Sequence, residues 1–350
     1  MMTAGSWRRG LILFLVLAGP FLLVLTSAAG AAGFFPGRGG ERLRPPDYAE
    51  PGVRNPLTGL YADAGNLERL PLAFVVDNHP SARPQSGLPG SDLVVEVPVE
   101  GGITRLLTLV WSDTPPTVGP VRSARHYYLD LARSLEAVFV HVGGSPQAYQ
   151  QLNRSPQPHF NAMFMNHGFR WVDFRRQPHS LYSVPGDLFA EAQARGWTGP
   201  PETLDPGWSF LGPRQVPSGD SVHGISARMA GSWAEEMSFE FRPSDGLYEK
   251  HVSDRLQVDY DSGEPVLFAN LMLLEVPMRV IPGDTEGRME MFLEGSGRAD
   301  IFVRGRHQTG EWQGEGGFPA VTRDSGDPVQ LAPGLTWVIF VPPSAEVRTR

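Results

Sequence analysis

Between Glu96 and Tyr149, two short apolar strands each run into a small-residue turn and then a helix start. The segments read EVPVEGGITRLLTLVWSD, VGPVRSARHYYLDLA and AVFVHVGGSPQAY. A strand that breaks into a helix at a sheet edge exposes unpaired helix N–H groups, which favour an anion. Three arginines, Arg105, Arg122 and Arg125, sit close to those turns. The pattern predicts a rigid scaffold with an anion-receiving edge, and it names no reaction.

The rest of the chain extends that scaffold. Leu72–Asp77 (LAFVVD), Asp92–Val99, Arg105–Trp111 and Ala137–Val142 read as strands, with a short one over Thr117–Arg122. Ser123 is the expected N-cap of a helix carrying Tyr128, Leu131 and Leu135 at helical spacing. Ser145 caps a second helix, with Pro146 at the first position, where its missing N–H costs nothing. Pro185–Arg195 is a third helix, stopped by Gly196. Beyond the Pro- and Gly-rich stretch from Pro200 to Ser218, short strands alternate with turn signals at Ser244–Gly246, Asp261–Gly263, Glu294–Gly297 and Asp324–Asp327. That rhythm predicts a small antiparallel barrel or sandwich. The expected class is α+β: a mixed strand and helix N-terminal domain over 56–200, a linker over 201–218, and a mainly antiparallel β domain over 219–350.

The N-terminus reads as a targeting segment. Arg8 and Arg9 precede an uncharged run to Phe35 with a dense apolar core from Leu11 to Leu25, and then Ala29-Gly30-Ala31. A cleaved secretory signal and an uncleaved membrane anchor over 1–32 fit equally well, and Arg8-Arg9 also suits a twin-arginine signal. Either way the bulk of the chain is expected outside the cytoplasm. Residues 33–55 are rich in Gly, Pro and Arg without apolar periodicity, and read as a tether. The chain has no cysteine, so it forms no disulfide and carries no lipid on an N-terminal cysteine. Its formal charge is -8, or -10 without Arg8 and Arg9, which argues against a nucleic-acid partner. Lys250 is the only lysine, a bias that a GC-rich genome explains.

Arg105, Arg122, Ser123, Arg125, Gly143, Gly144 and Ser145 are the candidate anion ligands. The alternative is an internal network pairing the arginines with Glu96, Glu100, Asp113 or Asp130. Asp77, Asn78, His79, Arg83, Glu96, Glu100, His141, Arg175, His179 and Tyr182 are the expected lining of the same cleft. Asp77, Asn78 and His79 stand where a buried strand meets a loop, and also suit an ordinary Asx turn. Glu96 and Glu100 share a face of an ideal strand about 13 Å apart. Glycosidase carboxylates stand about 5–9.5 Å apart, so pairing with Arg105 or with an arginine across the strand is the better expectation. No HExxH or GxSxG motif occurs. No metal, cofactor or catalytic residue is assigned.

Several segments together resemble the YerB family of bacterial envelope proteins, described as lipoproteins with a domain of unknown function. They are NPLTGL (Asn55–Leu60), VVDNHPSARPQSGL (Val75–Leu88), DLVVEVPVEGGITR, VGPVRSAR, HVGGSPQAY and PHSLYS (Pro178–Ser183). DTEGRMEMFLEGSGRADIFVRG and LAPGLTWVIFVP extend the resemblance into the C-terminal half. The resemblance implies a two-part α+β architecture and an envelope location. The chain departs from it at Gln257, where a histidine is expected two residues before Asp259, and in lacking the lipid-bearing cysteine, which leaves anchoring to the apolar N-terminal run.

Three functions fit. The first is a membrane-tethered extracytoplasmic binding protein for an anionic envelope component, such as a phosphorylated glycan or lipid phosphate. The second is a phosphoryl or glycosyl-phosphate transferase or hydrolase in the same cleft, with Asp77 or His79 as base. The third is a protein-interaction scaffold with structural arginines, in which His159–Trp171 (HFNAMFMNHGFRW) is a contact patch, although simple core packing between the domains is the better expectation for that stretch. The oligomeric state is left open.

Overall fold

The computed structural model describes residues 52–229 and 235–350. The apolar N-terminal run and most of the tether lie outside them, and no helix among the described residues is long and apolar enough to cross a membrane. The described residues belong to one compact unit.

The class is α+β. In the first half, β1 (Leu72–Asp77), β2 (Leu93–Pro98), β3 (Thr104–Val110), α1 (His126–Ser134), β4 (Val138–His141), α2 (Pro146–Arg154) and β5 (His159–Asn161) follow one another. A hairpin of β6 (Phe169–Trp171) and β7 (Leu181–Ser183) leads into α3 (Pro185–Ala194). The second half supplies β8 (Gly224–Arg228), β9 (Glu236–Arg242), β10 (Leu247–Val252), β11 (Asn270–Glu275), β12 (Glu294–Val303), β13 (Arg306–Glu315), β14 (Thr336–Val341) and β15 (Glu346–Thr349), with shorter strands between.

An eleven-stranded mixed sheet draws on both halves, in the order β13-β12-β11-β14-β2-β3-β1-β4-β5 with short strands added at and near the β13 end. β14 is the seam. It pairs in parallel with β11 on one side and with β2 on the other, Thr336 opposite Leu93 and Ile339 opposite Glu96. β1, β2 and β14 are fully buried along their length, as expected of strands covered on both faces. On one face Ala73, Val75, Val95 and Leu107 pack against Tyr127, Tyr128 and Leu131 of α1. On the other, Phe74, Val94, Leu273 and Trp337 meet Ile225, Phe239, Tyr248 and Val252 of a second, six-stranded antiparallel sheet. The C-terminal strands therefore do not close on one another as a small barrel. They divide between the central sheet and the layer that covers it.

The turn expected at Glu294–Gly297 lies inside β12. Gly297 is required there by close approach rather than by a bend. A Cβ at this position would stand 2.5 Å from the Glu275 carbonyl oxygen and 2.6 Å from Trp312 Nε1, where the indole donates to that carbonyl at 2.7 Å. Gly297→Ala is expected to destabilise the fold by roughly 1–3 kcal/mol through overpacking, measurable by urea unfolding. An unchanged midpoint would show that the indole moves aside freely.

Candidate functional site

The sheet splits where β1 and β4 end. These strands pair in parallel as far as Phe74 opposite Val140. Beyond that, extended residues 121–124 enter between them. Arg122 N–H donates to the Val75 carbonyl (2.8 Å), and the Arg122 carbonyl accepts from Val142 N–H (3.1 Å). Ala124 N–H donates to Gly143 O (3.1 Å), and Ser145 N–H to Ala124 O (3.0 Å). The segment expected as a strand over Thr117–Arg122 makes only isolated bridges, but it brings Arg122 to the carboxyl edge of the sheet beside the Gly143-Gly144 turn. Open α/β sheets bind ligands at such divergent edges.

The three arginines divide by role. Arg105 and Arg125 both grip Glu100, Arg105 Nη2 at 3.0 Å and Arg125 through Nε at 3.2 Å and a further Nη2 contact. Their side chains are only 5% and 7% exposed, so they form an internal pair rather than a receiving surface. Glu100 lies past the end of β2, in a turn over Glu100–Gly102, and so leaves the face that Glu96 occupies. Burial raises its pKa, and the two guanidiniums more than reverse that, holding it below the usual carboxylate range. Ser123 is not the helix cap. The N-cap of α1 is Arg125, without a side-chain capping bond, and the Ser123 carbonyl accepts from Arg105 Nη1 at 3.3 Å.

The second turn is also internally occupied. Gly143 has φ +64°, a left-handed conformation that glycine adopts without strain. Its N–H donates to Asn161 Oδ1 at 3.0 Å. Gly144 lies against Ala124. The Ser145 hydroxyl caps α2, accepting from Ala148 N–H at 3.2 Å. His141 is buried, its Nδ1 is 2.6 Å from Gly143 O, and burial pushes its pKa down to about 4. It is a neutral part of the scaffold at working pH.

What remains at the edge is Arg122 with two histidines. Asp77, fully buried at the end of β1, accepts from His79 N–H (3.0 Å), meets His179 Nδ1 (2.7 Å), and forms an ion pair with Arg122, whose Nε lies 3.0 Å away without a hydrogen bond. The His79 and His179 rings stack with centroids 4.8 Å apart. Burial, and then the neighbouring His179, lowers the His79 pKa. Arg122 Nη1 donates to Pro178 O (3.3 Å), its Nη2 has no protein partner among the described residues, and the side chain is 19% exposed. A residue 102 positions from Asp77 thus completes the cluster.

The other expected lining residues are fasteners. Arg175 donates to the Ser81, Arg83 and Pro84 carbonyls. Tyr182 is buried against Gly119, and burial raises its hydroxyl pKa to about 12. Arg83 binds the Asn78 carbonyl and Glu235. Asn78 donates to Thr104 (2.7 Å) and to Glu96 (3.1 Å). Glu96 does not pair with an arginine. It meets Lys250 Nζ and accepts from Thr104 Oγ1 (2.7 Å) and Trp337 Nε1 (2.9 Å). Lys250, Thr104 and Trp337 are participants that the sequence reading left out. The alternation in LYEKHV, which turns Tyr248, Lys250 and Val252 inward together, was the available signal.

Cavities of about 600 Å³, on the outer face of the second sheet, and about 440 Å³, beside Arg83 and Leu256, include neither Arg122 nor His179. Among the described residues no group of three or more His, Asp or Glu is placed to hold a metal ion.

The chain matches two domains of a protein family of unknown function, the DUF3048 N-terminal domain over residues 57–198 and its C-terminal domain over 227–338. It is 33% identical over 306 residues to the Bacillus subtilis (strain 168) protein named "Putative lipoprotein YerB", a match covering 85% of this chain and 88% of that one. The crystal structure of YerB from Bacillus subtilis superimposes with a TM-score of 0.74 at 30% identity, covering 85% of this chain and 99% of that chain.

Proposed function

The chain belongs to the DUF3048 family, and from the geometry of its sheet edge we propose that it is a membrane-tethered extracytoplasmic binding protein for an anionic envelope component. The observation that carries this reading is Arg122, paired with buried Asp77 and partly exposed beside the His179 and His79 that share that carboxylate, with Nη1 on the Pro178 carbonyl and Nη2 unpartnered among the described residues. A guanidinium anchored at one edge presents the other edge as a preformed fork for phosphate or carboxylate. The Arg105 and Arg125 pair supports the edge and already holds Glu100 as its anion. The apolar N-terminal run and the lipoprotein name of the relative support the location.

Thermal melting of the 44–350 fragment, which holds both cores, tests the site with inorganic pyrophosphate as probe. At about 100 times its dissociation constant a ligand stabilises by about 2.7 kcal/mol, a rise of roughly 3–6 °C. Arg122→Lys keeps a cation beside Asp77 but loses the fork, so the rise should largely vanish while the ligand-free melt stays close to wild type. An equal rise in both proteins would remove Arg122 from the site.

A second reading rests on the His179 contact. A buried carboxylate at Nδ1 orients an imidazole so that Nε2 can move a proton, whereas Asp77 itself, with both oxygens engaged, is poorly placed as a base. If the same edge cleaves a glycosyl phosphate, His179→Gln should abolish turnover and leave pyrophosphate binding in place. Turnover that survives this change would exclude His179 as the base.

A further inference from the structure

The anion edge is bordered by a stretch of exposed apolar side chains, basic in sequence, that the family match does not explain. Of the exposed large hydrophobic residues described, Met163 (62%), Phe164 (80%), Trp171 (59%) and Phe174 (48%) fall within a single stretch of twelve positions. This stretch joins both sides of the site. Met163 borders Gly143, with its Cγ 3.8 Å and Ser123 Oγ 3.9 Å from where a Gly143 Cβ would lie. Trp171 ends β6 of the hairpin whose tip carries His179, with Val172 N–H bonded to the Ser180 carbonyl at 2.8 Å. Phe174, in the same tip, stacks on exposed Tyr260 at 4.5 Å.

The backbone that carries these side chains is pinned at both ends of the stretch. Asn161 Oδ1 accepts from both Gly143 N–H and Met163 N–H, and the Asn161 carbonyl accepts from Phe164 N–H at 2.9 Å. Arg175 fixes the hairpin tip through three backbone carbonyls. The stretch itself is basic against the background of the chain. From His159 to Tyr182 there are three arginines and one aspartate, a formal excess of two positive charges in a chain of net charge -8. Exposed aromatic and methionine side chains combined with local positive charge suit an anionic lipid–water interface, where apolar burial and charge attraction act together. Tryptophan is enriched at that depth. Residues 33–51 could reach at most about 65 Å when fully extended, so an N-terminal anchor would keep this surface within range of the bilayer.

We propose that Met163, Phe164, Trp171 and Phe174 dock on an anionic membrane surface, so that the group received by Arg122 and His179 is the phosphate of a lipid headgroup. This rests on the anion-site reading above and specifies the source of the anion. The test is sedimentation of the 44–350 fragment with vesicles of phosphatidylglycerol or of phosphatidylcholine, alongside the pyrophosphate melt. The fragment should sediment with phosphatidylglycerol and much less with phosphatidylcholine. Met163→Ser/Phe164→Ser changes only exposed side chains, and should weaken vesicle partition by about tenfold or more while keeping the pyrophosphate shift. Equal partition of wild type and double variant, or no partition of the wild type, would overturn the membrane contact and leave the anion site standing. Absence of the pyrophosphate shift counts against the anion site itself. A wild-type dimer that the double variant converts to a monomer, without vesicle binding, would overturn the proposal in favour of a second copy of the chain.

Discussion

Lys250→Met lowers the unfolding free energy by roughly 3–5 kcal/mol, the usual cost of stranding one partner of a buried ion pair. Lys250 and Glu96 are both fully buried and bonded to each other between the central sheet and its covering sheet. The Lys250 ammonium also lies 4.7 Å from the Trp337 ring centroid. With the ammonium gone, Glu96 keeps Thr104, Trp337 and Asn78 as donors but has no cation. Burial raises the Glu96 pKa, and Lys250 with the surrounding donors more than reverses this. A carboxyl whose folded pKa is depressed contributes stability that is present above its unfolded value of about 4.3 and is lost as pH falls through the folded value. Wild type should therefore weaken in acid, and Lys250→Met/Glu96→Gln should weaken less there while regaining part of the neutral-pH loss. Urea unfolding at pH 7 and across the acid range measures both. A single variant as stable as wild type would mean that Glu96 already takes a proton from solvent at no cost.

The same pair shows where sequence reading stops. LAFVVD and TWVIFV are continuous apolar runs, so their status as buried strands was legible. Their neighbours were not. β14 lies beside β2 across more than two hundred residues, and period and propensity carry no information about such distant register. RHQTGEWQGE hid β13, because its inward positions are Gln308, Gly310 and Trp312, and two of those three give no apolar signal. The site divides along the same line. Asp77, His79 and Arg122 were visible at strand ends and turns. The pairing of His179 with Asp77 depends on a hairpin folding back over the edge. In sequence the three arginines look alike, and only the position of Glu100 past the end of β2 separates two of them from the third.

Glu100→Gln therefore costs far more stability than Arg122→Lys. It leaves Arg105 and Arg125, both nearly buried, facing each other without their shared carboxylate. The loss should be roughly 2–3 kcal/mol, below the ~3–5 of a wholly buried pair because the Glu100 side chain is 23% exposed and partly screened. Amide oxygen can accept one guanidinium bond but supplies no charge. Arg105 stands opposite Asp77 in the β1–β3 register, so its displacement should carry to the anion edge and weaken pyrophosphate binding indirectly. Arg122→Lys should show the opposite balance, with little change in melting and a large loss of binding. Melting curves with and without pyrophosphate, run on both variants, read the two effects independently. If Glu100→Gln melts like wild type and instead gains affinity for pyrophosphate, Glu100 is a displaceable stand-in for the ligand. The receiving pair would then be Arg105 and Arg125 rather than Arg122.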